Sequence, residues 1–108
     1  VRVLVEGGPV VREGDDAQAG RPEVAAVDYV LTRHCQDALA KRQIRLAWLE
    51  RALRAPETTE PDPVDDELEH RLVRIPDFDG RVLRVIVNVR KTPPHVVTAF
   101  FDRRRTFL

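Results

Sequence analysis

Between Leu31 and Ile44 the chain reads LTRHCQDALAKRQI, a helical stretch that carries two groups able to do chemistry. At 100° per residue, Cys35, Ala38 and Leu39 form one apolar stripe. Arg42 projects from the middle of that stripe and His34 from its edge, in the first turn. A guanidinium on an apolar stripe must find a partner. One reading is structural: a salt bridge to Asp28 or Asp102, or capping of the helix's last carbonyls. The other aims Arg42 at a phosphate in a cleft between helix and sheet. The dipole at a helix's first turn favours a neutral imidazole, and a neutral His34 beside a basic cleft could take the proton from a ribose 2′-hydroxyl. Cys35, on the stripe, reads as inert core.

A second set of polar groups lies in the C-terminal half, where three strands are predicted: His70–Pro76, Val82–Val89 and Val96–Asp102. Leu83, Val85, Val87 and Val89 point one way, and Val73 and Ile75 match them if Val73 opposes Val85. That register needs a three-residue loop, Phe78-Asp79-Gly80, with Gly80 left-handed. Arg74 then opposes Arg84 on the other face, and His70 opposes Asn88. Like charges across a ladder are unfavourable, so they either splay into solvent or hold an anion between them. Thr98 shares this face if Val97, Ala99 and Phe101 face the core. Arg103, Arg104 and Arg105 form a basic run, readable as a solvated tail or as a nucleic-acid contact. His95 follows two prolines and belongs to a loop. No Cys/His spacing suggests zinc and no glycine-rich loop suggests a nucleotide cofactor.

The elements that must position these groups follow from pattern. Thr32 is a plausible N-cap for a first helix running to about Arg42. A second helix at about Leu46–Arg54 puts Leu46, Leu49 and Leu53 on one face, with Ala52 beside them and Trp48 on the flank as packing. Val27–Leu31 reads as a short strand. The order β-α-α-β-β-β predicts an α+β fold: an antiparallel sheet with both helices packed on one face. Residues 1–26 read as a separate arm, either a small hairpin around Gly7-Gly8-Pro9 or a disordered linker. Residues 27–108 read as the domain proper.

The chain has 108 residues and zero formal net charge, enough for one modest core. The neutrality hides a pattern: residues 1–26 sum to −2, 27–54 to +3, 55–69 to −7 and 70–108 to +6. A basic body is thus interrupted by one acidic segment, APETTEPDPVDDELE, expected to be a loop because of Pro61 and Pro63. It is readable as a solvated loop or as a shield for the basic cleft. Of the 18 basic residues 16 are Arg; a GC-rich genome explains this as well as a demand for the guanidinium fork does. No apolar run approaches the length of a membrane span. The lone cysteine and the absence of a signal-like apolar run point to the cytoplasm.

YVLTRHCQDALAKRQIRLAWLERALRAP resembles the opening of the domain-of-unknown-function family 4258: a strand, a Thr-x-His start, an Arg before an Ile, and a helix ending near a Pro. GRVLRVIVNV and HVVTAFFDRR resemble its closing strands. The resemblance covers roughly Val27 to Arg105. The family is similar to the RelE/ParE-like toxins of bacterial toxin–antitoxin systems, which implies a small antiparallel sheet with two helices on one side. For the ribonuclease branch it implies metal-independent RNA cleavage with no cofactor. His34 would then be the base, Arg42 and Arg84 would hold the phosphate, and Thr98 would help position it. His70 or His95 would be the general acid, while Arg74, Asn88, Arg103 and Arg104 would contact RNA. The partners implied are RNA, free or on the ribosome, and a cognate antitoxin. Two departures stand out: the acidic segment is long for so small a fold, and members of the superfamily differ in their catalytic residues, some poisoning DNA gyrase instead. The rival reading is therefore a non-catalytic RNA- or protein-binding module, a ParE-like poison or a decayed toxin.

Overall fold

A computed structural model describes residues 2–5, 11–12 and 29–105. Its strands are β1 (Arg2–Val5), β2 (Val11–Arg12), β3 (Tyr29–Leu31), β4 (Thr58–Pro61), β5 (Leu68–Ile75), β6 (Arg81–Asn88) and β7 (His95–Phe101). Its helices are α1 (Arg33–Arg42) and α2 (Leu46–Arg54). The chain is α+β, as the pattern predicted. The sheet order is β2-β1-β3-β7-β6-β5-β4.

The expectation of a purely antiparallel sheet is corrected. β4 through β7 form an antiparallel meander, but β3 runs parallel to β7 and also parallel to β1. The helical pair leads from β3 to β4 at the far edge of the sheet, and the whole meander separates β3 from β7 in sequence, so no tight turn forces those two strands antiparallel. β1 and β2 pair antiparallel, with Val3 opposite Val11, so the described parts of the arm extend the sheet. Residues 6–10, where the Gly-Gly-Pro turn was expected, lie outside the described residues, as do Val27 and Asp28 of the expected first strand.

Thr32 is the N-cap of α1. Its Oγ1 accepts from the Cys35 N–H at 3.1 Å, and its hydroxyl lies 3.1 Å from the Val96 and Val97 carbonyls of β7. One side chain therefore both starts the helix and ties it to the sheet. The helix ends at Gln43, left-handed at φ 56°, and the chain turns so that Ile44 enters the core. α2 buries Trp48, Leu49, Ala52 and Leu53. The core joins these to Tyr29, Leu31, Cys35, Val73, Ile75, Leu83, Val85, Val87, Val96 and Ala99, which places both helices on one face of the sheet. Trp48 stacks on Phe78 at 5.7 Å and meets Phe101 edge-on, a packing role as expected.

The β5–β6 register differs from expectation by two residues. Val73 opposes Leu83, and Ile75 opposes Arg81. Pro76 has no N–H for the ladder, so pairing stops at Ile75. A five-residue connection follows, with a 3₁₀ turn at Pro76–Phe78 and both Asp79 and Gly80 left-handed. A shift of two keeps the faces and changes the partners. Arg84 opposes Leu72, Arg74 opposes Val82, His70 opposes Ile86 and Asn88 opposes Leu68. The unfavourable Arg74–Arg84 pair does not exist, so no anion is needed between them. In β7, Ala99 and Phe101 oppose Val85 and Leu83, and Thr98 opposes Ile86 on the face of Arg84. An irregularity at Ile86/Val87 puts Val96, in place of Val97, opposite Val87.

The acidic segment is not wholly a loop. Thr58 to Pro61 pair with Leu72 to Glu69. Pro61 is tolerated because β4 is the sheet's edge and its outer side needs no donor.

Candidate functional site

The face of the sheet away from the helices carries a linked set of charged side chains from four segments. β5 contributes His70, β6 contributes Arg84, and β4 with the residue after it contributes Glu60 and Asp62. The chain leaving β7 contributes Asp102 and Arg105. Arg84 is at the centre. Its Nε and NH2 donate to Asp102 Oδ2 at 3.0 and 2.8 Å, and its NH1 reaches His70 Nδ1 at 2.7 Å and Glu60 Oε1 at 3.5 Å. The other Glu60 oxygen accepts from Arg105 NH1 at 2.6 Å. His70 Nε2 lies 2.7 Å from Asp62 Oδ1.

These contacts assign the imidazole's tautomer. A guanidinium only donates, so Nδ1 is the acceptor toward Arg84. Nε2 therefore carries the hydrogen and donates to Asp62. His70 is held between a guanidinium and a carboxylate.

The carboxylates are tuned by the same contacts. Hydrogen bonds from the Asp65 backbone N–H, from His70 and from the Val64 N–H hold Asp62 at a pKa of about 2. The hydrogen bond from Arg105, aided by both guanidinium charges, holds Glu60 below its ordinary value against a smaller effect of burial. At Asp102 burial pushes upward, but the hydrogen bonds from Arg84 and the Arg104 backbone outweigh it and its pKa falls. Arg84 is 13% exposed and Asp102 6%, so this pair is largely shielded from water. Leu72 and Val82, on the same sheet face, are fully buried, so the side-chain layer over this face is closely packed.

A pocket of about 420 Å³ opens beside the set, lined by Asp79, Gly80, Arg81, Val82, Phe101, Asp102, Arg103 and Arg105. Arg81 stacks its guanidinium on Phe78 at 4.8 Å. The guanidiniums of Arg81, Arg103 and Arg105 share this lining with the carboxylates of Asp79 and Asp102. Among the described residues no group of three or more His, Cys, Asp or Glu side chains is placed to hold a metal ion.

The residues singled out in the sequence do not form one constellation. His34 is exposed at the start of α1 and Arg42 is exposed at its end, about 12 Å apart along the helix axis. Arg84 and Thr98 are on the sheet's opposite face. The buried setting predicted for Arg42 is corrected: its side chain is exposed, and its guanidinium donates to the Ala99 carbonyl at 3.5 Å. Of its two expected partners, Asp102 binds Arg84, and Asp28 lies outside the described residues. At the end of the other helix, α2, Arg71 donates to the Leu53 carbonyl at 3.0 Å. Arg74 bridges to Glu57 at 3.3 Å. Asn88 donates to Glu67 and accepts from the Arg90 N–H, holding a turn. Arg103 and Arg104 are exposed, and the Arg104 backbone N–H caps Asp102. His95 is the first residue of β7 instead of loop, and its Nδ1 faces the Pro93 carbonyl at 3.1 Å. Cys35 is fully buried, which pushes its thiol up to about 12.

The structure therefore unites His70 with Arg84, and adds Glu60, Asp62, Asp102 and Arg105. Sequence reasoning missed Glu60 and Asp62 because it read their segment as a loop, and it named Asp102 only as a partner for Arg42. The available signal was charge: seven acids with no base, set between two basic stretches. Among the described residues no helix is long and apolar enough to cross a membrane.

The family model described as Domain of unknown function (DUF4258) matches residues 31–101. No curated protein and no solved structure matches the chain.

Proposed function

The chain belongs to that family, and on this premise we propose that it is a RelE/ParE-like toxin domain that cleaves RNA without a metal, using His70 and Arg84 on the helix-free face of the sheet. The observation that carries this reading is the direct contact between His70 Nδ1 and Arg84 NH1. A phosphodiester that drew Arg84 to itself would free the Nδ1 lone pair beside the bound phosphate. The ring would then accept the 2′-hydroxyl proton while Asp62 held its other nitrogen, the orienting role a carboxylate plays toward a basic histidine. The 2′ oxygen bonds to phosphorus, the bond to the 5′ oxygen breaks, and the leaving oxygen takes a proton from solvent. The products are a 2′,3′-cyclic phosphate and a 5′-hydroxyl. Arg84 would stabilise the charge on the pentavalent phosphate. The partners in this reading are RNA and an antitoxin that covers the face.

One observation favours a non-catalytic module, such as a ParE-like poison. Arg84 already has acceptors at Nε, NH1 and NH2, as a purely structural cation would.

Inducible expression in a bacterial host separates these readings. Wild type is compared with His70→Gln, Arg84→Lys and His34→Ala, following growth, total RNA and the circular dichroism of each purified protein. Growth arrest with RNA cleavage, lost in a folded His70→Gln and kept in His34→Ala, is the expected result. Loss in His34→Ala alone moves the base to α1. Arrest with intact RNA leaves the ParE-like reading, and no arrest from a folded wild type removes the toxin reading.

A further inference from the structure

We propose that Arg84 and Arg105 together form a phosphate-binding site, and that Glu60 is its resident anion in the free protein. This rests on the nucleic-acid reading above and extends it to a site and a regulation. The Glu60 carboxylate spans two guanidinium groups from different segments, one oxygen 2.6 Å from Arg105 and the other 3.5 Å from Arg84. Two non-bridging oxygens of a phosphodiester can span a pair of guanidiniums in the same way.

Three features set Glu60 apart from an ordinary surface pair. Arg84 has its own dedicated carboxylate in Asp102, at shorter distances, so Glu60 is not needed to neutralise it. Arg105 has no other side-chain partner among the described residues. The contact also sits beside an open pocket that Arg105 lines with Arg81 and Arg103, giving an anion a way in.

Glu60 belongs to β4, the edge strand formed by the acidic segment. Along that segment Glu57 binds Arg74, Glu60 binds Arg84 and Arg105, and Asp62 binds His70. The segment is a strap of carboxylates laid over the cations of this face. An RNA phosphate must displace Glu60 before it can use the fork. The apparent affinity is then reduced by the fraction of molecules in which the fork is free.

The test uses the full chain and a fluorescent single-stranded oligouridine with 2′-O-methyl riboses, which cannot be cleaved by 2′-hydroxyl attack. Glu60→Gln is expected to tighten binding about tenfold if Glu60 fills the site nine-tenths of the time. Arg105→Gln should weaken binding and, combined with Glu60→Gln, cancel the gain. Glu57→Gln removes one charge from the same strap away from the fork and should change binding little. Unchanged binding in a folded Glu60→Gln overturns the proposal. So does equal tightening by Glu57→Gln, which would show general electrostatics, or a gain that survives Arg105→Gln. Should Glu60→Gln fail to fold, Arg105→Gln alone decides: undiminished binding overturns the site. Because the probe cannot be cleaved, tightening by Glu60→Gln in a protein that leaves cellular RNA intact would remove the ribonuclease reading and leave this site standing.

Discussion

Asp62 ties backbone geometry to the state of a histidine. One of its oxygens accepts from the Val64 and Asp65 N–H groups and the other from His70. The backbone bonds pin the carboxylate where the ring needs it. Its pKa is about 2 in the fold against an ordinary 3.8. A depressed folded-state value contributes stability above the unfolded pKa, and that contribution is lost as pH falls from about 4 through about 2. Melting temperatures between pH 6 and 2 should show this: Asp62→Asn should be less stable than wild type at pH 6, with the difference closing toward pH 2. A constant difference would mean that Asp62 does not titrate in this window. At the same scale, Arg42 shows the limit of the helical wheel. Its angular position is that of a buried residue, but a long stem leaves the side chain exposed while its guanidinium reaches the Ala99 carbonyl.

At the scale of elements, α1 is held both by Thr32, the residue before its first, and by its apolar stripe, of which Cys35 and Ala38 are buried. The Thr32 hydroxyl supplies both the N-cap and the tie to β7. Loss of a cap alone costs about 1 kcal/mol, and loss of the tie adds to it, so Thr32→Ala should cost more than 1 kcal/mol in urea unfolding. Thr32→Ser, which keeps the hydroxyl, should recover most of that. Both helices were legible because period and caps are local. The β5–β6 connection was not, because two loops differing by two residues serve the apolar faces equally well. Pro76, which ends the ladder, decided between them.

For the whole molecule, the parallel placement of β3 between β1 and β7 links the arm to the domain. The Val30 N–H donates to Pro94 on the β7 side. Strand alternation then turns the Tyr29 and Leu31 amides toward β1. Removing residues 1–12 should speed hydrogen exchange at Tyr29 and Leu31 while Val30 stays protected. Equal protection of all three would mean that β1 adds nothing to the sheet in solution.

The sequence by itself determined the α+β class, both helices with the Thr32 cap, the apolar face of β5 and β6, and the presence of His70 and Arg84 on the opposite face. All of these follow from periodicity or local hydrogen bonding. Tertiary structure alone decided the parallel direction of β3, whose three residues are buried throughout and so carry no alternation to read. It also decided the pairing of charges. Arg84 meets Asp102 18 residues away, and Arg105 meets Glu60 45 residues away. A charge pattern states how many partners are needed, but strand register chooses which ones meet.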